Sequence, residues 1–166
     1  RDLERAAALY EAAVDERRDH MHAYADAARI HEALGRPDRA TALWRRGLAV
    51  APGDAGAENE ARRLELLAGV GRGEETADTL VEIGHRYRVS GEVERAIAFL
   101  ERAAKAGPDR AATWVDLAGA CVDAGRYPEA VSALERAAAT AGPEATVLRD
   151  RLRRLKQVVG DGGTAG

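Results

Sequence analysis

Large side chains are scarce in this chain of 166 residues. Aromatic residues make up 4% of it, with a single Phe. Leu, Ile, Val and Phe together number 31, just under a fifth of the chain. A fraction that low accompanies disorder when net charge is large. Here the net charge is only −3, so the disordered reading fails on its second condition. The one cysteine, Cys121, excludes an internal disulfide and fits a reducing, cytoplasmic compartment. No apolar run approaches the roughly 18 residues that a membrane span needs, and no secretory pattern opens the sequence. Lysine is nearly absent, two against 23 arginines. That bias reads as codon usage in a GC-rich, bacterial genome. Acidic and basic residues almost balance, so no whole-chain field attracts nucleic acid.

What is present is alanine, 37 residues of it. Alanine is the best helix former and its methyl group lets helices pack closely. Self-comparison shows that it recurs at fixed places. Shifting Ala77–Arg110 by 34 residues onto Ala111–Glu144 sets Leu80 on Trp114, Ile83 on Leu117, Gly84 on Ala118 and Tyr87 on Cys121. Gly91 then falls on Gly125, Ala96 on Ala130, Leu100 on Leu134 and Ala103 on Ala137. The block Met21–Asp54 supplies Tyr24, Ala27, Ala28, His31, Gly35, Ala40, Trp44 and Gly47 at the same positions. Each block reads as two helices joined by a short turn. Tyr24, Leu80 and Trp114 begin the buried stripe of the first helix, which continues at i+3, i+4 and i+7. Ala28, Gly84 and Ala118 let the second helix approach, and Ala40, Ala96 and Ala130 do the same from the other side. Gly35, Gly91 and Gly125 stand where the first helix must stop in a left-handed conformation. Pro37 and Pro128 follow, in first turns where a missing N–H costs little.

This spacing resembles the tetratricopeptide repeat over three full blocks. The resemblance implies an all-α, TPR-type superhelical solenoid of antiparallel helix pairs, about nine helices in all, spanning residues 1–160. Residues 2–16 repeat the register of a second helix, with Ala6, Tyr10 and Ala13 lying 34 residues before Ala40, Trp44 and Gly47. A half repeat there, behind Arg1 rather than Met, is expected of a piece of a longer array. Full repeats follow at 21–54, 77–110 and 111–144. Residues 145–159 read as a capping helix with Leu148, Leu152 and Leu155 on one face. Its other face carries Arg149, Arg151, Arg153, Arg154 and Lys156. Residues 161–166 read as a flexible tail. The segment 55–76 breaks the period: a helix with Leu64, Leu66 and Leu67, then a glycine-rich stretch. It is expected to kink a continuous stack, with a hinge between two modules as the competing reading.

The resemblance also implies a concave face built from positions 2, 5, 9, 12 and 13 of each first helix. Those positions yield a candidate peptide-binding groove of His22, Arg29, Glu32, Asp78, Val81, His85, Arg88, Val115 and Val122. The valines would form an apolar floor, and Arg29, His85 and Arg88 would donate to a ligand backbone or carboxylate. Some members of the family clamp the carboxylate tail of chaperones with Lys, Asn and Arg. Here those places hold Ala25, Arg29, Glu82, Ala112 and Asp116, and two carboxylates would repel such a tail, so no clamp is expected.

Catalysis finds little support, and no enzyme, cofactor or metal is expected. Ser90 and Ser132 have no base nearby in sequence. GVGRGEE lacks the lysine and preceding strand of a phosphate loop. His31 falls at the core position of Tyr87 and Cys121, while His20 and His22 straddle a helix start, so a shared zinc site is not expected. The basic cap helix has no aromatic residue to stack bases. The expected activity is binding of a protein or peptide partner by a scaffold. Self-assembly into a homo-oligomer, or a regulatory module of a larger enzyme or signalling protein, are the alternatives. Neither membrane nor nucleic acid is an expected partner.

Overall fold

Three glycines decide where helices end. Gly35, Gly91 and Gly125 have φ of +70°, +79° and +71°, a backbone region that costs other residues strain. After each, a backbone N–H turns back onto the helix it leaves: Arg36 to His31 O (2.8 Å), Glu92 to Tyr87 O (2.9 Å) and Arg126 to Cys121 O (2.8 Å). These bonds satisfy carbonyls that a helix end would otherwise orphan. The computed structural model describes residues 2–16 and 20–162. Within them lie nine α-helices and one short 3₁₀ turn, and no strand. The helices are α1 (Asp2–Glu16), α2 (Met21–Ala33), α3 (Pro37–Val50), α4 (Ala55–Gly71), α5 (Ala77–Val89), α6 (Val93–Ala106), α7 (Ala111–Asp123), α8 (Tyr127–Thr140) and α9 (Ala145–Gly162). The turn is Gly142–Glu144. Pro37 opens α3, and Pro128 sits in the first turn of α8.

The chain divides into two compact units, Arg1–Glu74 and Glu75–Gly166. The first holds α1 to α4 and the second α5 to α9. Within the second, α5 packs on α6 and α7 on α8, as the two helices of a repeat; α6 also meets α7, and α8 meets α9. In the first, α2 pairs with α3, flanked by α1 and α4. The first core joins Val14, Tyr24, Ala28, Ala40, Leu43, Trp44 and Leu64. In the second, Ile97, Leu100, Leu117, Cys121 and Leu134 pack together, with Leu152 and Leu155 of α9 against them.

Helix starts explain the break in period. Ala55 lies 34 residues after Met21, and Ala145 lies 34 after Ala111. Both α4 and α9 therefore hold the register of a first helix. After α4 the chain resumes with another first helix, α5, so the irregular stretch amounts to one absent second helix. The residues of α4 agree. Where α2 turns Tyr24 and Ala28 toward its partner, α4 carries Glu58 and Arg62, both exposed. Its apolar side, Ala57, Ala61 and Leu64, packs into the first core. Asp54 caps its start by accepting from the Ala57 N–H at 2.9 Å. At the chain's other end, α9 continues through Gly162, beyond the expected end at 159. The remainder of the expected tail, 163–166, lies outside the described residues.

Helix approach within a pair is tightest in α5. A methyl group on Gly84 would come within 2.7 Å of Leu100 Cγ, and Leu100 is fully buried. Replacing a helical glycine by alanine ordinarily gains about 1 kcal/mol of propensity. Overpacking a rigid core costs about 1–3 kcal/mol, so the clash outweighs that gain. Gly84→Ala is expected to lower stability by about 1 kcal/mol in urea denaturation, although Ala118 fills the same place one repeat later.

Candidate functional site

The nine groove residues fall into two sets, because α2 belongs to the first unit and α5 and α7 to the second. On α2, His22 and Arg29 are exposed. The Arg29 guanidinium lies 5.6 Å from the centre of the Trp44 ring and 3.4 Å from Asp26. Glu32 is engaged. Both its oxygens accept from the Arg63 guanidinium at 2.9 Å, and Glu60 accepts from Arg63 as well, at 2.5 Å. Arg63 is 1% exposed. Burial alone would pull its proton affinity down, but two carboxylates outweigh it and hold the guanidinium above its ordinary value. The α2–α4 surface is thus closed by an ion pair.

On the second unit the same face is arranged differently. Asp78 pairs with Arg110 at 2.5 Å. His85 Nε2 lies 3.2 Å from Asp116, and Arg88 Nε donates to Asp123 at 2.5 Å, so both expected donors on α5 are tied to carboxylates of α7. Val81 packs on the core cluster, and Val115 packs against Ala137, Ala138 and Leu148. Val122 remains exposed. It lines a cavity of about 240 Å³ together with Ala118, Gly119, Leu134 and Leu155, with Arg88, Asp123 and Arg151 around them. Ligand pockets for small molecules run from about 300 to 1,000 Å³. This one suits a single side chain. The bare Gly119 backbone adds room, and the Arg88 guanidinium lies over it.

Repeat register relates the two faces. Val122 stands in α7 where Glu32 stands in α2, and Arg153 in α9 where Arg63 stands in α4. In the first unit Glu32 holds the buried Arg63. In the second, the valine cannot hold an arginine, and Arg153 turns instead to Asp150 at 3.3 Å. Sequence reasoning missed Arg63, Leu155 and the place of Arg151 on this face. The signal was the 34-residue spacing of Ala55 and Ala145, which makes α4 and α9 first helices.

Two wider clefts lie on the second-helix side, at equivalent positions of the two units. One, of about 350 Å³, has Glu11, Arg39 and Arg46 on its walls, and the other, of about 330 Å³, has Glu101, Glu129 and Arg136. In the first, Arg39 pairs with Glu11 and Arg46 with Asp15. Arg46 also covers the Tyr24 ring, and Arg136 the Trp114 ring, at 5.4 and 4.9 Å. Recurrence at one register marks these clefts as products of repeat geometry. His31 is buried, as its core position implies, with Nε2 at 2.9 Å from Glu11. Among the described residues no group of three or more His, Cys, Asp or Glu side chains could hold a metal, and no helix is long and apolar enough to cross a membrane.

Two measurements check these assignments. Removing Arg63 leaves Glu32 and Glu60 facing each other without their cation. Loss of one partner from a buried pair costs about 3–5 kcal/mol, so Arg63→Ala is expected to lower unfolding free energy by roughly 3 kcal/mol. Burial pushes the Cys121 thiol up from its ordinary value, although Arg126 opposes this. The thiolate is the reactive form. A chromogenic disulfide reagent at neutral pH is therefore expected to label Cys121 slowly in the folded chain and rapidly after denaturation.

No curated protein matches the sequence. Among solved structures, the C-terminal part of a TPR repeat-containing protein from Cytophaga hutchinsonii is similar at a TM-score of 0.54 and 15% identity, over 99% of this chain and 69% of that one. A thermophilic TPR protein from Thermus thermophilus is 22% identical at a TM-score of 0.46, over 93% and 91% of the two chains. A TPR protein described as having an unusual peptide-binding site is 16% identical at 0.41, over 86% and 82%. Two sequence models of the tetratricopeptide repeat match residues 1–59 and 81–146, together about three quarters of the chain. With the paired helices, the left-handed glycines and the 34-residue register, these matches place the chain in the tetratricopeptide-repeat family.

Proposed function

We propose that the chain is a protein-interaction scaffold whose binding surface is the first-helix face of the second unit, formed by α5, α7 and α9. The observation that carries this reading is the open cavity at Val122, a position where the first unit has Glu32, which is held by the buried Arg63. An extended or helical segment of a partner would lie along this face and seat one apolar side chain against Val122, Leu134 and Leu155. Asp78, His85 and Arg88 would give polar register at the edge, each already held by a neighbour. Burying one such side chain contributes about 1.5–3 kcal/mol, so affinity needs further contacts along the segment. His22 and Arg29 on the first unit would form a separate, polar surface.

The scaffold acts by binding, without a chemical step. The buried, unbridged Cys121 thiol supports a reducing, cytoplasmic setting. Val122→Glu sets a charge over the cavity without disturbing a buried residue. It is expected to weaken capture of a partner segment by about tenfold or more, as read by fluorescence anisotropy, while the melting temperature stays near that of the parent chain. Unchanged affinity would remove this face as the binding surface.

A further inference from the structure

Around the same cavity the charges are not balanced. Most arginines of the second unit meet carboxylates: Arg88 with Asp123, Arg102 with Glu75, Arg110 with Asp78, and Arg126 with Glu94 and Glu129. On α9, Arg153 pairs with Asp150 and Lys156 with Glu135. Arg149, Arg151 and Arg154 have no carboxylate partner among the described residues, and all three are exposed. Arg151 stands at the cavity itself beside Leu155. Arg154 follows one turn on, so the two share a helix face. Val147 and Val158 lie on that stripe as well, one turn beyond each arginine, and are 70% and 60% exposed. One unneutralised guanidinium, Arg151, thus stands at an apolar hole, and a second, Arg154, follows on the same stripe with further apolar surface at either end. Asp123, the carboxylate at the rim, is already held by Arg88.

Resting on the reading that this face binds protein, we propose that its ligand is an acidic, amphipathic protein segment. One aliphatic side chain of the segment enters the cavity, and glutamate or aspartate residues on either side of it meet Arg151 and Arg154. Guanidinium groups receive carboxylates in paired hydrogen bonds, and the segment supplies the negative charge that α9 lacks. Carboxylate partners that arrive with the ligand give selectivity and a faster encounter more than raw affinity. A nucleic acid would also neutralise the arginines. A single strand held by stacking would use aromatic platforms for its bases, and no aromatic side chain lines the cavity or occurs in α9.

The test pans a random peptide library, displayed on phage, against the full chain. Selected peptides are then synthesised, labelled and titrated by fluorescence anisotropy into the parent chain, Val122→Glu and the double variant Arg151→Glu/Arg154→Glu. All three proteins are first compared by melting temperature. The expected result is peptides with Leu, Ile or Met between acidic residues, bound about tenfold or more weakly by each variant. Their affinity should fall as salt is raised, since exposed charges are screened over about 8 Å at physiological ionic strength. Peptides that lose binding on Val122→Glu but are neutral or basic, or are indifferent to the double variant, would overturn the acidic ligand and leave the binding face standing. A library that yields no peptide sensitive to Val122→Glu would overturn both. A single-stranded oligonucleotide that displaces the peptides at equal concentration would contradict the assignment to protein.

Discussion

Each repeat depends on how closely its two helices can approach. The contact is made where Ala28, Gly84 or Ala118 of a first helix meets Ala40, Ala96 or Ala130 of a second, all of them buried. Helices packed on such residues lie near the short end of the usual 8–10 Å separation. A single large residue then spans the remaining gap: Trp44 in one pair, Leu100 and Leu134 in the others. The scarcity of large apolar residues follows from this geometry. A pair that close has little interior of its own, and its remaining apolar surface is completed by the next helix along. Helix ends obey the same need, because the turn between the two helices must be short, and a left-handed glycine makes it so.

With the backbone framework fixed, charge decides what the first-helix face does. At one register position a glutamate recruits a buried arginine and the surface closes. At the equivalent position a valine leaves a hole. The closed version costs the desolvation of three ionised groups and is held by mutual hydrogen bonds. The open version leaves Val122 exposed. At the positions that line the cavity, Gly119, Val122, Leu134 and Leu155 stand where the first unit has Arg29, Glu32, Trp44 and Glu65.

Much of the fold was legible in the sequence because its determinants are local. Helix pairs recur at the 34-residue spacing, and the three stop glycines have the left-handed conformation that their positions require. These features follow from side-chain size and backbone freedom at fixed spacing. The identity of α4 was harder to see. Its start obeys the 34-residue register, but Glu58 and Arg62 replace the large and small residues by which a first helix is recognised. The candidate groove was legible only as a list of positions. Spacing tells which face of a helix a residue occupies. It does not tell which carboxylate a guanidinium will reach, because that depends on the offset between helices. His85 and Arg88, read as donors to a ligand, lie against Asp116 and Asp123. Val115, read as part of an apolar floor, is partly buried against Ala137, Ala138 and Leu148.

The proposed binding surface is the face of α5, α7 and α9. Hydrogen–deuterium exchange with and without a bound protein segment tests it most directly. Protection is read along the whole chain, and no substitution is needed. Binding at this face slows exchange chiefly in α7 and α9, around Gly119, Val122 and Leu155, and leaves α6 unchanged. Protection confined to α6 and α8, along the cleft walled by Glu101 and Arg136, would contradict it.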